Sequence, residues 1–197
     1  VHLGHQHILA QINKMAEQSN GESILLTFHP HPRLVINPND DSLKLLNTLD
    51  EKIELLGRYG IDNLVVLPFT REFSNTTPEE YIRKLLWEKF KPHSIVIGYD
   101  HKFGKGRSGD ITDIKKFSES AGFEVVEIKK QQVDDIAVSS TKVRMALSEG
   151  KVKKARNLLG HEYSLRGKVV KGDQIGRTLG YPTANIDVEN KNKLIPD

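Results

Sequence analysis

The feature that most constrains this chain is an alternation. Four short runs are apolar along almost their whole length: 22–28 (ESILLTF), 63–69 (NLVVLPF), 94–98 (SIVIG) and 123–128 (FEVVEI). Amphipathic segments with helix signals lie between them. Strands without a polar face need cover on both sides, so the pattern predicts a parallel sheet with helices on both faces, an α/β Rossmann-like domain. The helix starts are specific. Thr48-Leu-Asp-Glu51 is a capping box, and Thr77-Pro-Glu-Glu80 adds proline at the first helical position. Gly57 or Gly60 ends the first of these helices, and Gly122 closes one over 111–121. Ile8, Leu9, Ile12 and Met15 recur at helical spacing. A helix so near the first residue implies a strand before it that this sequence does not contain.

After Ser140 come two short helices, separated by Gly150 and ended by Gly160. Beyond Glu162 the texture changes to Y-S-L-R-G-K-V-V-K-G, an alternating strand followed by turn residues. The boundary therefore falls near Gly160, with one unit over 1–160 and another over 161–197. The second part is short: 36 residues from Glu162 onward make two or three strands at about 5–6 residues each. That is too few to close a β-barrel. This stretch is expected to be mobile, or ordered only against the larger unit or a partner chain.

Composition removes some classes. No apolar run approaches the ~18 residues of a membrane-spanning helix. With no cysteine there are no disulfides and no thiolate metal sites, which fits a reducing compartment. Net charge is +3, but ten Lys/Arg against three Asp/Glu lie between Lys142 and Arg177. Such a block suits either a solvated helix face or nucleic acid, and the solvated face is the better reading.

Chemistry concentrates in five stretches. His2-Leu3-Gly4-His5 opens the first helix, where free backbone N–H groups and the macrodipole favour an anion. At this spacing both imidazoles can face one way, and Gly4 keeps the backbone open to a phosphate. Ser139-Ser-Thr-Lys-Val-Arg144 opens a later helix. Its hydroxyls could serve only as caps, but with Arg144 they also make a second anion site. Two such sites on one α/β domain fit a triphosphate between them. His29-Pro-His-Pro32 follows a strand; with His2, His5 and His101 it lacks a closed zinc-ligand spacing, and its rings better suit the wall of a planar ligand's pocket. Gly104-Lys-Gly-Arg-Ser-Gly109 matches G-x-G-x-x-G, but Tyr99-Asp-His-Lys-Phe103 separates it from its strand. A dinucleotide-binding turn cannot tolerate that insertion, so the stretch reads as a flexible basic loop beside the substrate. In Gly176-Arg-Thr-Leu-Gly-Tyr-Pro-Thr-Ala-Asn185, Thr183 and Asn185 share a side at spacing two and could point towards a metal–phosphate group.

The first tetrad resembles the HxGH signature of nucleotidylyltransferases. Together, H-L-G-H, F-H-P-H-P, G-Y-D-H-K-F-G-K-G-R-S-G, S-S-T-K-V-R and G-R-T-L-G-Y-P-T-A-N resemble the bacterial bifunctional riboflavin kinase/FMN adenylyltransferase (FAD synthetase) family, in its order and over essentially the whole chain. The resemblance implies a nucleotidylyltransferase domain that makes FAD from FMN and Mg²⁺–ATP, then the N-terminal part of a β-barrel riboflavin kinase. It implies small-molecule substrates only, with no nucleic acid or membrane, and a cytoplasmic setting; oligomeric state is left open. It implies that His2, Gly4 and His5 meet the ATP phosphates. Ser140, Thr141 and Arg144 would hold pyrophosphate, and His2, His5 and Arg144 would be catalytic. Phe28, His29, His31, Asp100 and Arg107 would line the flavin and adenine pockets. Thr183 and Asn185 would bind Mg²⁺–ATP in the kinase unit.

Three departures stand beside it. The family's G-x-F-D-G turn before the tetrad is absent. Its kinase domain, with the catalytic glutamate, continues past Asp197, so this chain alone is expected not to phosphorylate riboflavin. Position 101, often Phe, is His. The alternatives are another HxGH-type nucleotidylyltransferase, such as a cytidylyltransferase or pantetheine-phosphate adenylyltransferase, or a basic nucleic-acid-binding protein.

Overall fold

The structure is a computed structural model that describes residues 1–40, 42–128 and 138–196. Asp197, which closes the second expected unit, lies outside the described residues. Helix α1 spans Leu3–Gln18 and leads to strand β1, Ile24–His29, whose end at His29 agrees with the prolines that follow. A short helix α2, Pro32–Ile36, then forms where the sequence pattern predicts only an interruption. The cause is local. The His31 Nδ1 accepts the Arg33 N–H at 3.2 Å, and Pro32 stands at the first helical position.

Helix α3, Leu49–Arg58, begins at the expected capping box. The Glu51 carboxylate accepts the Thr48 N–H at 3.0 Å and the Thr48 hydroxyl accepts the Glu51 N–H at 3.3 Å. Strand β2, Asn63–Pro68, follows. A helical run over 78–90, α4, is capped by Thr77 and Glu80 and takes π-helical hydrogen bonding over Tyr81–Trp87. Then come β3 (Ser94–Gly98), α5 (Ile111–Ala121, closed by Gly122 in the left-handed region) and β4 (Glu124–Ile128). Helices α6 (Ser140–Ser148) and α7 (Val152–Leu159) end at Gly150 and Gly160 as expected.

The strands pair in parallel. β1 runs beside β2 from Ile24 opposite Asn63 to His29 opposite Pro68, and β3 beside β4 from Ser94 opposite Glu124 to Gly98 opposite Ile128. Among the described residues the two pairs do not hydrogen-bond to each other; side chains join them instead. Leu26 and Phe28 of β1 pack on a core of Tyr81, Ile82, Leu86, Ile97, Phe103, Ile114 and Phe123. A second core of Leu46, Val143, Ala146, Leu147, Ala155 and Leu159 joins α6 and α7 to the segment before α3, and Leu194 completes it from the far end of the chain.

Beyond Gly160, β5 (Lys168–Val170) and β6 (Asn185–Asp187) form an antiparallel pair, with a one-turn helix α8, Ile175–Thr178, between them. The pair leaves apolar side chains in solvent, Val169 at 73% and Ile186 at 58% exposure. The last residues dock on the larger unit. Leu45 N–H donates to Asn192 O at 2.6 Å and Leu194 N–H to Leu45 O at 2.9 Å. Tyr163 OH donates to Leu194 O at 2.6 Å. Lys193 passes inward to the Glu51 carboxylate at 2.5 Å and Leu46 O at 2.8 Å.

Candidate active site

The N-terminus of α1 is built around two rings. His2 and His5 stack with centroids 3.8 Å apart and planes 29° apart. A Cβ on Gly4 would lie 3.1 Å from His2 Cε1, so the glycine makes room first for the His2 imidazole itself. His2 is 8% exposed, and its Nδ1 has no hydrogen bond of good geometry among the described residues, although the ring stands in a capping-box relation to the His5 N–H. A buried ring nitrogen without a partner is costly unless a ligand supplies one. Desolvation is the largest cause that pushes the His2 pKa down to about 4. That of His5 is pushed down to about 3 by desolvation under the stacked ring, then by His2, Val1 and Lys52, although part of its surface is open to solvent. Both rings are therefore neutral near pH 7 and present hydrogen-bonding groups rather than full charges.

Further basic side chains gather on the same region. His31 caps α2, and its pKa is lowered by burial first, then by Lys52, Arg144 and Arg33. Arg144, on α6, is fixed by a bond from Nε to Lys44 O at 2.7 Å. Burial, then Arg33, lowers its pKa. The cap of α6 is Ser139, whose hydroxyl accepts the Lys142 N–H at 3.3 Å, while Ser140 and Thr141 form the first turn. Lys52, on α3, enters from another side and donates to Thr27 Oγ1 of β1 at 3.2 Å. His2, His5, His31, Lys52 and Arg144 thus share one electrostatic neighbourhood, drawn from α1, α2, α3 and α6.

The sequence reading did not single out Lys52. Its signal was available: Lys52 falls three residues from Leu49 and four from the buried Leu56, on the inward face of an amphipathic helix.

The expected flavin residues divide. Phe28 is committed to an aromatic cluster, 5.5 Å from Phe69 and 5.4 Å from Phe73, and backs the site rather than standing free. His29 is exposed at the end of β1. Asp100 and Arg107 are exposed on the segment after β3, and no hydrogen bond or ion pair among the described residues links them to the histidine cluster. The basic loop is closed at its base, where Phe103 and Gly109 exchange backbone bonds of 3.0 and 2.9 Å and Lys105 N–H donates to Thr76 O at 2.7 Å. A Cβ on Gly109 would lie 2.7 Å from both Phe103 and Pro78, so this glycine serves close packing.

Thr183 and Asn185 lie elsewhere, in a cleft of about 280 Å³ with Lys171, Gly172 and Arg177. A Cβ on Gly172 would overlap the Asn185 carboxamide, and one on Gly176 would meet Thr183 Oγ1 at 3.0 Å. The glycines of this stretch thus seat its two polar side chains. No group of three or more His, Asp or Glu among the described residues could hold a metal ion on its own.

A family model for FAD synthetase matches residues 1–142. The chain belongs to the FAD synthetase family. A riboflavin kinase model matches residues 159–197. Curated relatives named bifunctional riboflavin kinase/FMN adenylyltransferase include one from Listeria monocytogenes, 38% identical over 100% of this chain and 62% of that protein. The Bacillus subtilis protein is 33% identical over 100% and 61%, and that of Escherichia coli K12 32% over 97% and 61%. The chain therefore spans about three fifths of the length of these relatives. A crystal structure of a macrolide-efflux protein from Streptococcus pneumoniae superposes with a TM-score of 0.84 at 29% identity, over 100% of this chain and 63% of that one. Among the described residues no helix is long and apolar enough to cross a membrane.

Proposed function

We propose that the protein is a cytoplasmic enzyme that transfers AMP from Mg²⁺–ATP to FMN, giving FAD and pyrophosphate. The observation that carries this reading is the cluster at the α1 N-terminus, where the buried, unpartnered His2 Nδ1 joins His5, His31 and Arg144. In the reaction an oxygen of the FMN phosphate attacks the α-phosphorus of ATP. A new P–O bond forms, the bond from the α-phosphorus to the bridging oxygen breaks, and pyrophosphate leaves with the electron pair. FMN phosphate is already anionic, so no strong base is needed, and catalysis is positioning and charge stabilisation.

In this reading His2 and His5 donate to the phosphate chain, with Gly4 making room for the His2 ring. Ser140, Thr141 and Arg144 receive the leaving pyrophosphate, whose charge rises as the bond breaks. His29, His31, Asp100 and Arg107 border the flavin and adenine, with Phe28 behind them. The units divide at Gly160, and 161–197 begins a riboflavin kinase in which Thr183 and Asn185 face a second Mg²⁺–ATP. These neutral oxygens fit a Mg²⁺ ion whose charge is met mainly by nucleotide phosphates. When bound, Mg²⁺ offsets charge moving between the phosphates. The substrates are small molecules; nucleic acid and membrane have no part in the reading.

The test is chromatography of FMN incubated with Mg²⁺–ATP. FAD and pyrophosphate should appear in equal amounts, and FMN recovered unchanged would refute the proposal. A parallel incubation with riboflavin reads the kinase unit, where the full-length protein should form FMN and ADP.

A further inference from the structure

We propose that Lys52 is a further phosphate-contacting residue of the adenylyl-transfer site, its ammonium held inward for the triphosphate and the departing pyrophosphate. This rests on the adenylyl-transfer reading and adds a residue that the motifs do not contain.

The geometry begins with α3. Its first turn carries Asp50 and Glu51, but neither serves Lys52: Asp50 is exposed, and Glu51 turns to Thr48 and Lys193. Lys52 leaves the helix on its inward side and crosses to β1, where its one hydrogen bond among the described residues is to the neutral Thr27 hydroxyl at 3.2 Å. No carboxylate among the described residues lies within ion-pair distance. The groups on which its charge acts most clearly include His5 and His31, whose lowered pKa values leave both rings neutral near pH 7. A half-buried ammonium among such neighbours is unfavourable in the ligand-free protein. Desolvation accordingly lowers its pKa.

Packing does not account for this arrangement. If the stem only covered apolar surface, the ammonium would reach outward to water, as lysine ends usually do. Here it reaches inward to Thr27 of β1, where its charge acts on His5 of α1 and on His31, the cap of α2, with Arg144 acting on the same His31. A chain of phosphates passing His5 and His31 would meet an ammonium that is already oriented and that no carboxylate among the described residues pairs.

The decisive measurement is titration calorimetry of inorganic pyrophosphate and of FMN into the full-length protein and its Lys52→Met and Lys52→Arg variants, with thermal melting of each. Charge-assisted bonds of this kind predict that Lys52→Met weakens pyrophosphate about 10- to 100-fold. FMN binding should be unchanged and the ligand-free melting temperature equal or higher, because an unpaired ammonium is gone. Lys52→Arg should keep most of the pyrophosphate affinity. Lys52→Met binding pyrophosphate as the unaltered protein does would overturn the proposal. So would lower thermal stability with FMN and pyrophosphate binding lost together, which would mark a structural residue. An unaltered protein that binds pyrophosphate through Lys52 yet forms no FAD would instead refute adenylyl transfer and leave the assignment of Lys52 standing.

Discussion

Two lysines extend from the surface into this molecule, and their surroundings are opposite. Lys193, at the end of the chain, is 0% exposed and lies against the Glu51 carboxylate and Leu46 O, with its ammonium 4.5 Å from the centre of the Tyr163 ring. Burial lowers its pKa, and Glu51 opposes the shift. Lys52, the next residue of α3 after Glu51, bonds among the described residues only to the neutral Thr27 hydroxyl. One region is a closed charge balance that fastens the second unit to the first. In the other, no carboxylate among the described residues pairs with Lys52, in the electrostatic neighbourhood of His5, His31 and Arg144. Balanced burial identifies structure here, and unbalanced burial identifies a place for a polyanion.

The largest effect should come from opening the balanced side. Lys193→Met would strand the Glu51 carboxylate, which is 6% exposed and already has one oxygen without a partner. A loss of about 3–5 kcal/mol in denaturant unfolding is expected, because an unpaired buried charge remains. Adding Glu51→Leu should restore much of it. A neutral Lys193→Met would remove the contrast altogether.

The next effect is on catalysis. His5→Ala or Arg144→Ala should lower kcat by roughly 10²–10³, about 3–4 kcal/mol, by removing stabilisation of charge on the leaving pyrophosphate. FMN affinity should change far less. Loss of FMN binding with the turnover number kept would show these roles to be wrongly assigned.

Acid should act on the same cluster. The folded-state pKa of His2, about 4, lies below the ordinary value of 6.5, so the unfolded chain binds more protons in that interval. The contribution of His2 is complete above about pH 6.5 and falls away as pH drops towards 4. Melting temperatures between pH 7 and 4 should decline less steeply in His2→Asn. An equal decline would mean that other groups govern the acid limb.

Smaller still is the α3 cap. Thr48→Ala removes one side of a capping box and should cost about 1 kcal/mol by the same unfolding measurement. The exposed Arg83–Glu79 pair, 2.9 Å apart one helical turn away from each other, should matter by less than about 0.5 kcal/mol.

What could be read from the sequence follows the range of each interaction. The boxes at Thr48–Glu51 and Thr77–Glu80 link residues three apart, and the glycine stops at Gly122, Gly150 and Gly160 depend on one residue's backbone, so those boundaries were accessible. The Lys193–Glu51 bond joins residues 142 positions apart, and no local pattern announces it. The same limit explains the basic loop. Its glycines suggested flexibility, but Gly109 is small because Phe103 and Pro78 need the space, a contact that only the folded chain supplies. At the candidate site the histidines and Arg144 belong to motifs, whereas Lys52 shows only as one polar residue on an inward helix face. Its function is visible once its missing counter-charge is.

The most direct test of the central claim is the fate of labelled phosphate. The protein is incubated with FMN, Mg²⁺ and ATP labelled at the α- or the γ-phosphorus, and the products are separated. The account predicts α-label in FAD and γ-label in pyrophosphate, with both transfers slowed together and to the same extent in Arg144→Ala. α-Label that never enters FAD, whether it stays in ATP or appears only in ADP, would contradict it, because the first unit would then not be an adenylyltransferase.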